Sequence, residues 1–366
     1  MKWATHLGFC KTILINVIVC CLLLISLEVS YRTWLSFSDC GDICPNTAFF
    51  TRLDAFDRDT VYGFMGPNPI VGFSPADGTF KIREPAWNGA TITVRQGVRV
   101  NPNFEPKSAG GAILAVGDSF VFGDQVSDDE TWPALLERRL NRRVVNGGVS
   151  SYGPVQAVLR AEQLLKVQAY SLVILSILVG EDPQRDRVVN VNLYRRPALI
   201  RDERGLRLTT IEESDKIVSE HFACAHPWIP ELFFWSHIAK RFFWRLGYAG
   251  RCISFVHPKA ATHDEIIEFA VERFAALPDR KVILIQYPRY SFDGPTRLAT
   301  LAIDEASKIR DAANHHGVRV IDTYYALKDG PLHETYIYSH WWPHHSKSGN
   351  EVVSGLIAGE IAQLAP

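Results

Sequence analysis

Ser119 is the residue of this chain whose type and position best suit covalent chemistry. It follows Gly117 and Asp118 at the end of a short apolar run, Ala112–Val116, which is bounded by glycine and predicts a buried parallel strand. Loops at the carboxyl ends of such strands meet at the crevice where open α/β sheets bind ligands. A serine on this turn can offer its hydroxyl and its own backbone N–H to a substrate, and both groups are useful for acyl transfer.

A second strand end carries a glycine-rich turn. The segment Glu130–Leu140 has a proline near its start and apolar residues at helical spacing, which predicts a helix. It leads to the short apolar strand Val144–Val145 and then to Asn146, Gly147 and Gly148. We expect this turn to lie beside Ser119 at the same sheet edge.

Two adjacent histidines are candidates for the general base that such a serine needs. His344 and His345 precede a helix predicted over residues 351–364. A positioned histidine is the side chain most often used to take a proton in catalysis.

The motifs around these residues resemble those of the SGNH (GDSL-type) hydrolases, and in particular the membrane-anchored bacterial members. The likeness covers residues 112–152, with GDSF-x-x-G, E-T-W-P and V-x-N-x-G-V-x-x-Y-G, and it returns near the C-terminus as H-x-S-x-x-G-N. It implies that Ser119 is the nucleophile and that the base is His344, five residues before Gly349, with His345 as the alternative base. It also implies an oxyanion hole formed by the backbone N–H groups of Ser119 and Gly148.

The chain departs from this family at the third oxyanion donor. The family has Gly-Asn-Asp after the most apolar strand, whereas this chain has Gly180, Glu181 and Asp182. An ionised Glu181 cannot donate a hydrogen bond to an oxyanion. Either Glu181 is protonated because burial raises its pKa, or it points away while Gln184 donates.

The second departure concerns the group that orients the base. The family has an aspartate two or three residues before its histidine, where this chain has Trp341 and Trp342. The orienting group is therefore a backbone carbonyl, Asp322 or Asp182, or it is absent.

Composition limits the class of protein. The chain has 366 residues, of which 47% are hydrophobic and 22% are charged, enough for one large core with appendages or for two modest domains. Its formal net charge of −1 argues against a nucleic-acid partner. No cysteine and histidine spacing indicates zinc, and we expect no cofactor.

The N-terminus predicts export from the cytoplasm. Residues 1–11 carry Lys2 and Lys11 and precede an apolar segment, 12–29, which predicts a transmembrane signal anchor. A cleaved signal peptide is the alternative, although no small-x-small site follows the run. We expect a single-pass inner-membrane protein with its C-terminal domain in the periplasm or otherwise outside the cytoplasm.

The remaining chain predicts an α/β protein with a doubly wound, five-stranded parallel sheet, SGNH or flavodoxin-like, and a small β-rich extension. Residues 30–108 are predicted to form a stalk and the β-rich element. Residues 109–366 are predicted to form the SGNH-like domain, with an insertion at about 183–260. The five buried strands are predicted at residues 112–116, 144–145, 171–179, 281–285 and 318–321.

The insertion predicts a hairpin, Tyr194–Arg201 with Leu206–Leu208, and an aromatic, basic helix over 232–246. That helix is either a lid on the sheet or a segment lying in the membrane interface. Four cysteines outside the anchor are either disulfide-bonded or free: Cys40, Cys44, Cys224 and Cys252.

The resemblance implies a membrane-anchored, extracytoplasmic serine esterase or O-acyltransferase that uses a Ser-His acyl-enzyme mechanism. Its expected substrates are acyl esters of envelope or secreted carbohydrate, or another small ester. The alternative is a catalytically weak SGNH domain that binds acylated glycan or a partner protein. Four aromatic residues either stack on sugar rings or pack in the core: Trp132, Tyr152, Trp341 and Trp342.

Overall fold

The structure is a computed structural model, and it describes residues 16, 18–30, 64–82, 87, 89–102, 111–191, 194–220, 255–292, 294–337 and 343–363. The chain divides into two compact units. The first consists of Met1–Phe56 with Phe222–Arg251, and the second of Asp57–His221 with Cys252–Pro366. In the first unit, residues 18–30 are helical. All elements named below belong to the second unit.

Fourteen strands are present in the described residues of this unit. They are β1 (Met65–Asn68), β2 (Gly72–Pro75), β3 (Gly78–Lys81), β4 (Thr91–Arg95), β5 (Val98–Arg99), β6 (Ile113–Val116), β7 (Val144–Asn146), β8 (Leu172–Leu178), β9 (Asn190–Val191), β10 (Tyr194–Arg195), β11 (Leu199–Asp202), β12 (Gly205–Leu208), β13 (Lys281–Gln286) and β14 (Arg319–Asp322).

The helices of the same residues alternate with the longer strands in the second half of the unit. They are α1 (Ser119–Phe122), α2 (Trp132–Leu140), α3 (Pro154–Leu165), α4 (Asp182–Arg185), α5 (Ile211–Ser219), α6 (His263–Ala275), α7 (Arg297–His315), α8 (Tyr324–Lys328), α9 (Leu332–Thr335) and α10 (Lys347–Ala362).

The central sheet has eight strands in the order β14-β13-β8-β6-β7-β5-β4-β3. The first five of these run parallel, and they coincide with the five strands predicted from the apolar runs. The α/β prediction is therefore confirmed. The prediction of a purely parallel sheet needs correction, because β5, β4 and β3 continue the same sheet in antiparallel order.

Helices cover both faces of the parallel strands, as a doubly wound sheet requires. Along β8, Val173, Leu175 and Ile177 pack with residues of α3, α6 and α7 on one face. Leu172 and Ile174 point to the other face and pack with residues of α2 and α10. Because successive strand residues face opposite sides, this apolar strand is buried on both.

The N-terminal strands support the loops at the sheet edge. The β1–β2 hairpin contributes Phe73 to a third apolar cluster, which also contains Phe122 of α1 and Tyr152 of the loop before α3. The Tyr152 hydroxyl donates a hydrogen bond to the Phe73 carbonyl. Trp132 and Tyr152 are both fully buried, so of the two alternatives for these residues the structure supports packing in the core and excludes stacking on sugar rings.

The predicted insertion contains the expected hairpin, with β11 paired to β12. Tyr194 and Arg195 belong instead to β10, which pairs with β9. Several predicted features lie outside the described residues: the helix at 232–246, Trp341, Trp342, Cys40, Cys44, Cys224 and Cys252. Within the described part of the chain, no helix combines the length and the hydropathy needed to cross a membrane.

Candidate active site

Ser119 begins α1 immediately after the carboxyl end of β6, where the apolar run predicted it. Asp118 caps this short helix, because its Oδ1 accepts the N–H of Phe120 at 2.9 Å. Its Oδ2 accepts the Ser119 hydroxyl at 3.3 Å. The first N–H groups of a helix have no partner within it, so the helix itself does not use the backbone N–H of Ser119.

His344 is the histidine that meets Ser119. Its Nε2 lies 2.9 Å from the Ser119 Oγ, a normal hydrogen-bonding distance, although 225 positions separate the two residues. In this geometry the imidazole can accept the serine proton as the hydroxyl attacks a carbonyl.

Gln125 contacts the ring nitrogen of His344 that faces away from Ser119. The His344 Nδ1 lies 2.8 Å from the Gln125 Oε1. Asp182 and Asp322, the carboxylates considered for this role, form their hydrogen bonds elsewhere in the described chain: Asp182 with Leu178 and Arg185, and Asp322 with Arg310, Tyr287 and Tyr324. The assignment of the orienting role to either aspartate is therefore corrected. No motif indicated Gln125.

The loop that carries Gln125 is held by a buried arginine of β5. Arg99 donates from Nη1 to the carbonyls of Phe122 and Gly123, at 2.8 and 2.6 Å, and from Nη2 to that of Val126 at 2.7 Å. Its Nε donates to the Asp128 carboxylate at 2.9 Å. The antiparallel strands thus fix the chain between Ser119 and α2. Arg99 was not singled out from the sequence, because its role depends on the pairing of β5 with β7.

Gly148 packs directly against α1, but its N–H is already engaged. A Cβ at this position would lie 2.4 Å from the Phe122 nitrogen, so only glycine permits this close approach. The Gly148 N–H donates to the Asn146 Oδ1 at 3.1 Å. The Asn146 amide in turn donates to the Val121 carbonyl at 2.9 Å. To serve an oxyanion as well, the Gly148 N–H would have to share or exchange this contact.

Glu181 lines the same cavity as Ser119. Its carboxylate accepts the Tyr290 hydroxyl at 3.2 Å and the Gln184 amide at 3.5 Å. Burial raises the pKa of this carboxyl, and the nearby positive charge of Arg185 opposes the rise without cancelling it. Because the Gln184 amide donates to Glu181, it is engaged with that carboxylate rather than with Ser119.

Arg185 donates hydrogen bonds to three segments that surround Ser119. Its Nη1 donates to Asp182 at 2.6 Å, to Asp118 at 3.1 Å and to the Tyr152 carbonyl at 3.2 Å. Burial alone would lower the pKa of this guanidinium, but the charges of Asp182 and Asp118 raise it above its usual value. Arg185 therefore stays charged and links the segment after β8 to the turn that precedes Ser119.

The cavity beside Ser119 has a volume of about 440 Å³. This volume lies in the usual range of small-molecule sites. Its wall combines the polar residues described above with apolar and basic side chains, many from the predicted insertion: Phe120, Leu178, Arg187, Val188, Val191, Arg196, Val256, Pro288 and Pro343. Its volume is sufficient for a small organic molecule beside Ser119.

His345, the alternative base, belongs to the core. Its ring is 2% exposed and packs edge-on against Phe120 and Tyr336, with centroid distances of 4.8 and 5.0 Å. Neither ring nitrogen has a hydrogen-bond partner in the described residues. Burial lowers the pKa of this histidine to about 3, so the ring is neutral at physiological pH.

This buried histidine predicts loss of stability in mild acid. The pKa of His345 is near 6.5 in the unfolded chain and about 3 in the folded chain, so the unfolded chain takes up the proton first. The free energy of unfolding therefore keeps its full value above pH 6.5 and falls as the pH is lowered toward 3. Between pH 6.5 and 5 the loss is about 2 kcal/mol, at ~1.36 kcal/mol per pH unit. His345→Phe should flatten the decline of Tm with pH, measured by thermal denaturation, whereas His333→Gln, at an exposed histidine, should not. Equal slopes in all three proteins would contradict the buried neutral state.

Comparison with known proteins identifies similar solved structures. No protein-family model matches the chain, and no curated protein matches it. A member of the lipolytic G-D-S-L family from Veillonella parvula is 12% identical, with 69% of this chain and 98% of that chain covered and a TM-score of 0.39. A catalytic mutant of an acetylxylan esterase from Geobacillus stearothermophilus is 13% identical, with 70% and 96% covered and a TM-score of 0.39. An α/β hydrolase enzyme from the metagenome of Lake Arreo is 13% identical, with 71% and 98% covered and a TM-score of 0.42.

Proposed function

We propose that this protein is a serine esterase or O-acyltransferase of the SGNH type. The observation that carries the proposal is the chain of contacts from the Ser119 Oγ to the His344 Nε2, at 2.9 Å, and from the His344 Nδ1 to the Gln125 Oε1, at 2.8 Å. A serine hydroxyl, a base within reach and a group that orients the base form the arrangement that activates a nucleophile.

The reaction begins when the Ser119 Oγ attacks an ester carbonyl and its proton passes to the His344 Nε2. The bond between the carbonyl carbon and the alcohol oxygen then breaks, and the alcohol leaves with the proton from His344. Water or a sugar hydroxyl then gives its proton to His344 and attacks the acyl carbonyl. The bond between that carbon and the Ser119 Oγ breaks, and the proton on His344 returns to the Ser119 oxygen. The two acceptors lead to hydrolysis and to acyl transfer, respectively, through one shared acyl-enzyme.

We propose acyl esters of envelope or secreted carbohydrate as substrates, because the SGNH members that the sequence motifs resemble are membrane-anchored. Residues 12–29 would anchor the chain, with its larger part outside the cytoplasm and residues 232–246 as a second segment in contact with the membrane. The described helix at 18–30 has strongly exposed apolar side chains, which suits burial in lipid: Leu22, Leu23, Leu24, Ile25 and Leu27.

One observation favours a second function, that of a catalytically weak domain that binds acylated glycan or a partner protein. Glu181 stands where the resembled family has an oxyanion donor, and its carboxylate accepts hydrogen bonds from Tyr290 and Gln184. A negative charge near the carbonyl oxygen would slow the chemistry without preventing a ligand from entering the cavity.

Labelling with a fluorophosphonate probe distinguishes these functions, because the probe reacts with an activated serine and needs no known substrate. Membranes that contain the full-length chain should show one labelled band at its mass, and the label should sediment with the membranes. Ser219→Ala, at an exposed serine at the end of α5, should label like the wild type. A folded wild-type chain that stays unlabelled from pH 6 to 9 would leave the binding domain as the function.

A further inference from the structure

We propose that two adjacent residues, Gln125 and Asp124, share the role that an aspartate has in the resembled hydrolases. The Gln125 amide fixes the tautomer of His344, and the Asp124 carboxylate stabilises the imidazolium that forms when Ser119 is deprotonated. This inference rests on the proposed function and assigns two positioning residues to the same site.

The contacts of the Gln125 amide determine which nitrogen of His344 carries the proton. Its Oε1 lies 2.8 Å from the His344 Nδ1 and 3.3 Å from the backbone nitrogen of the same residue. A backbone N–H can only donate, so the atom that it meets is the amide oxygen. An oxygen acceptor then requires a proton on Nδ1, which leaves the lone pair of Nε2 free to accept the Ser119 proton.

The backbone conformation of Gln125 is a second observation that indicates a function for its side chain. Gln125 has a φ of +69°, in the left-handed region that favours glycine. Gln125 is nevertheless buried, and its amide reaches a residue 219 positions away. A side chain that is kept in a disfavoured backbone conformation at a reactive site points to a function for that side chain.

The amide is neutral, so the charge must come from another group. The Asp124 Oδ2 lies 4.0 Å from the His344 Nε2, and the Asp124 side chain is buried. The Ser150 hydroxyl donates to its Oδ1 at 2.6 Å, which fixes the carboxylate. The other charged groups that line this cavity are Glu181, Arg185, Arg187 and Arg196, and each has contacts of its own elsewhere. Asp118, the buried carboxylate that accepts the Ser119 hydroxyl, is paired with Arg185 at 3.1 Å. Asp124, with its Oδ2 4.0 Å from the His344 Nε2, is therefore the carboxylate that we assign to the protonated ring.

Gln125→Gly removes the amide and relieves the backbone at the same time. We expect kcat for a model ester to fall roughly 10²–10³-fold, because the ring loses its fixed tautomer, while KM changes less than threefold. The Tm should be unchanged or rise by about 1–3 °C, because glycine accepts the left-handed conformation.

Gln96→Gly is the matched control. Gln96 is the other glutamine with a positive φ, +54°, and it lies exposed in the turn between β4 and β5. This change should affect Tm in the same direction and leave kcat unchanged. Unchanged kcat in Gln125→Gly, or a fall in kcat that follows a fall in Tm, would overturn the inference.

Charge changes test the division of roles. Gln125→Glu places a carboxylate beside the His344 Nδ1. It should raise the midpoint of the acid limb of the kcat/KM profile by about one pH unit, because a neighbouring negative charge favours the imidazolium. Asp124→Asn removes the negative charge near Nε2 and should lower that midpoint. A midpoint that moves in neither variant would overturn the roles of both residues.

A spectroscopic test separates this inference from the proposed function. In full-length protein with ¹⁵N-labelled histidine, the His344 signals, assigned by their loss in His344→Gln, should show a protonated Nδ1 and an unprotonated Nε2. Gln125→Gly should give a mixture of both tautomers. Because no turnover is required, this result tests the contact even if the wild type proves inactive, whereas a mixture already present in an active wild type would refute the Gln125 role alone.

Discussion

Replacing Ser119 by alanine is expected to abolish fluorophosphonate labelling and to lower ester turnover by roughly 10⁴–10⁶-fold. His344→Ala should lower turnover by nearly the same factor, because the two residues act as one unit in the attack on the carbonyl. The physical reason is the 2.9 Å contact between the Ser119 Oγ and the His344 Nε2, without which the hydroxyl remains a weak nucleophile.

The double variant gives the sharpest form of this test. If the pair acts together, Ser119→Ala with His344→Ala should be no slower than either single variant. His345→Ala should reduce labelling only weakly and through stability, because its ring packs between Phe120 and Tyr336. Additive losses in the double variant, or a larger loss in His345→Ala than in His344→Ala, would contradict the assignment of the base.

The chain pattern predicted the parallel half of the sheet because each of its strands is a short apolar run buried on both faces. The ends of such strands must lie at one edge, so Ser119 and His344 were expected to meet there in spite of their separation in sequence. The structure places them in contact. Alternation of strand and helix therefore carried information about the site as well as the fold.

The antiparallel half of the sheet was harder to predict. β3, β4 and β5 have two to five residues each, and such short pieces do not specify the strand that they join. One register pair, between Arg99 and Asn146, connects them to the parallel strands. The role of Arg99 in holding the loop after Ser119 follows from that pairing and could not be read from its neighbours in sequence.

Gln125 was missed for a different reason. In the resembled family the third member of the site is an acid close to the histidine in sequence, whereas the Gln125 amide reaches His344 from the loop after Ser119. Its position depends on the left-handed backbone at that residue, and glutamine carries no signal for this conformation. Likewise, the contact of Asn146 with the Gly148 N–H depends on how closely that turn packs against α1.

Glu181→Asn is expected to raise ester turnover at pH 8 by tenfold or more. Glu181 lines the cavity at Ser119. If its carboxylate lies about 4 Å from the developing oxyanion, the repulsion is roughly 4 kcal/mol at an effective dielectric of about 20. Arg185 offsets part of this penalty, so the expected gain is smaller than the full thousandfold that such an energy represents. An asparagine would remove the charge and add a donor.

The gain in turnover on replacing Glu181 should depend on pH, because only the ionised carboxylate opposes the oxyanion. Burial raises the pKa of Glu181, so part of the population keeps the proton above the usual range of a glutamate, and a protonated carboxyl can itself donate to the oxyanion. The opposing charge appears as the pH rises through that raised pKa. The ratio of turnover in Glu181→Asn to that in the wild type should therefore be smallest near pH 5 and should increase toward pH 8, as measured by kcat at saturating ester.

Two further variants separate charge from shape. Glu181→Gln keeps the length of the side chain and should show the same rise with pH, because it loses the same charge. Glu137→Gln is the control, because it removes another buried carboxyl with a raised pKa. Glu137 accepts hydrogen bonds from Asn101 and Val144 and does not line the cavity, so the ratio of turnover in this variant to that in the wild type should not change with pH. A ratio below one at every pH would mean that Glu181 works as a protonated donor. A ratio of one throughout would mean that its carboxylate points away from the oxyanion, and the Tyr290 and Gln184 contacts would then be what holds it there.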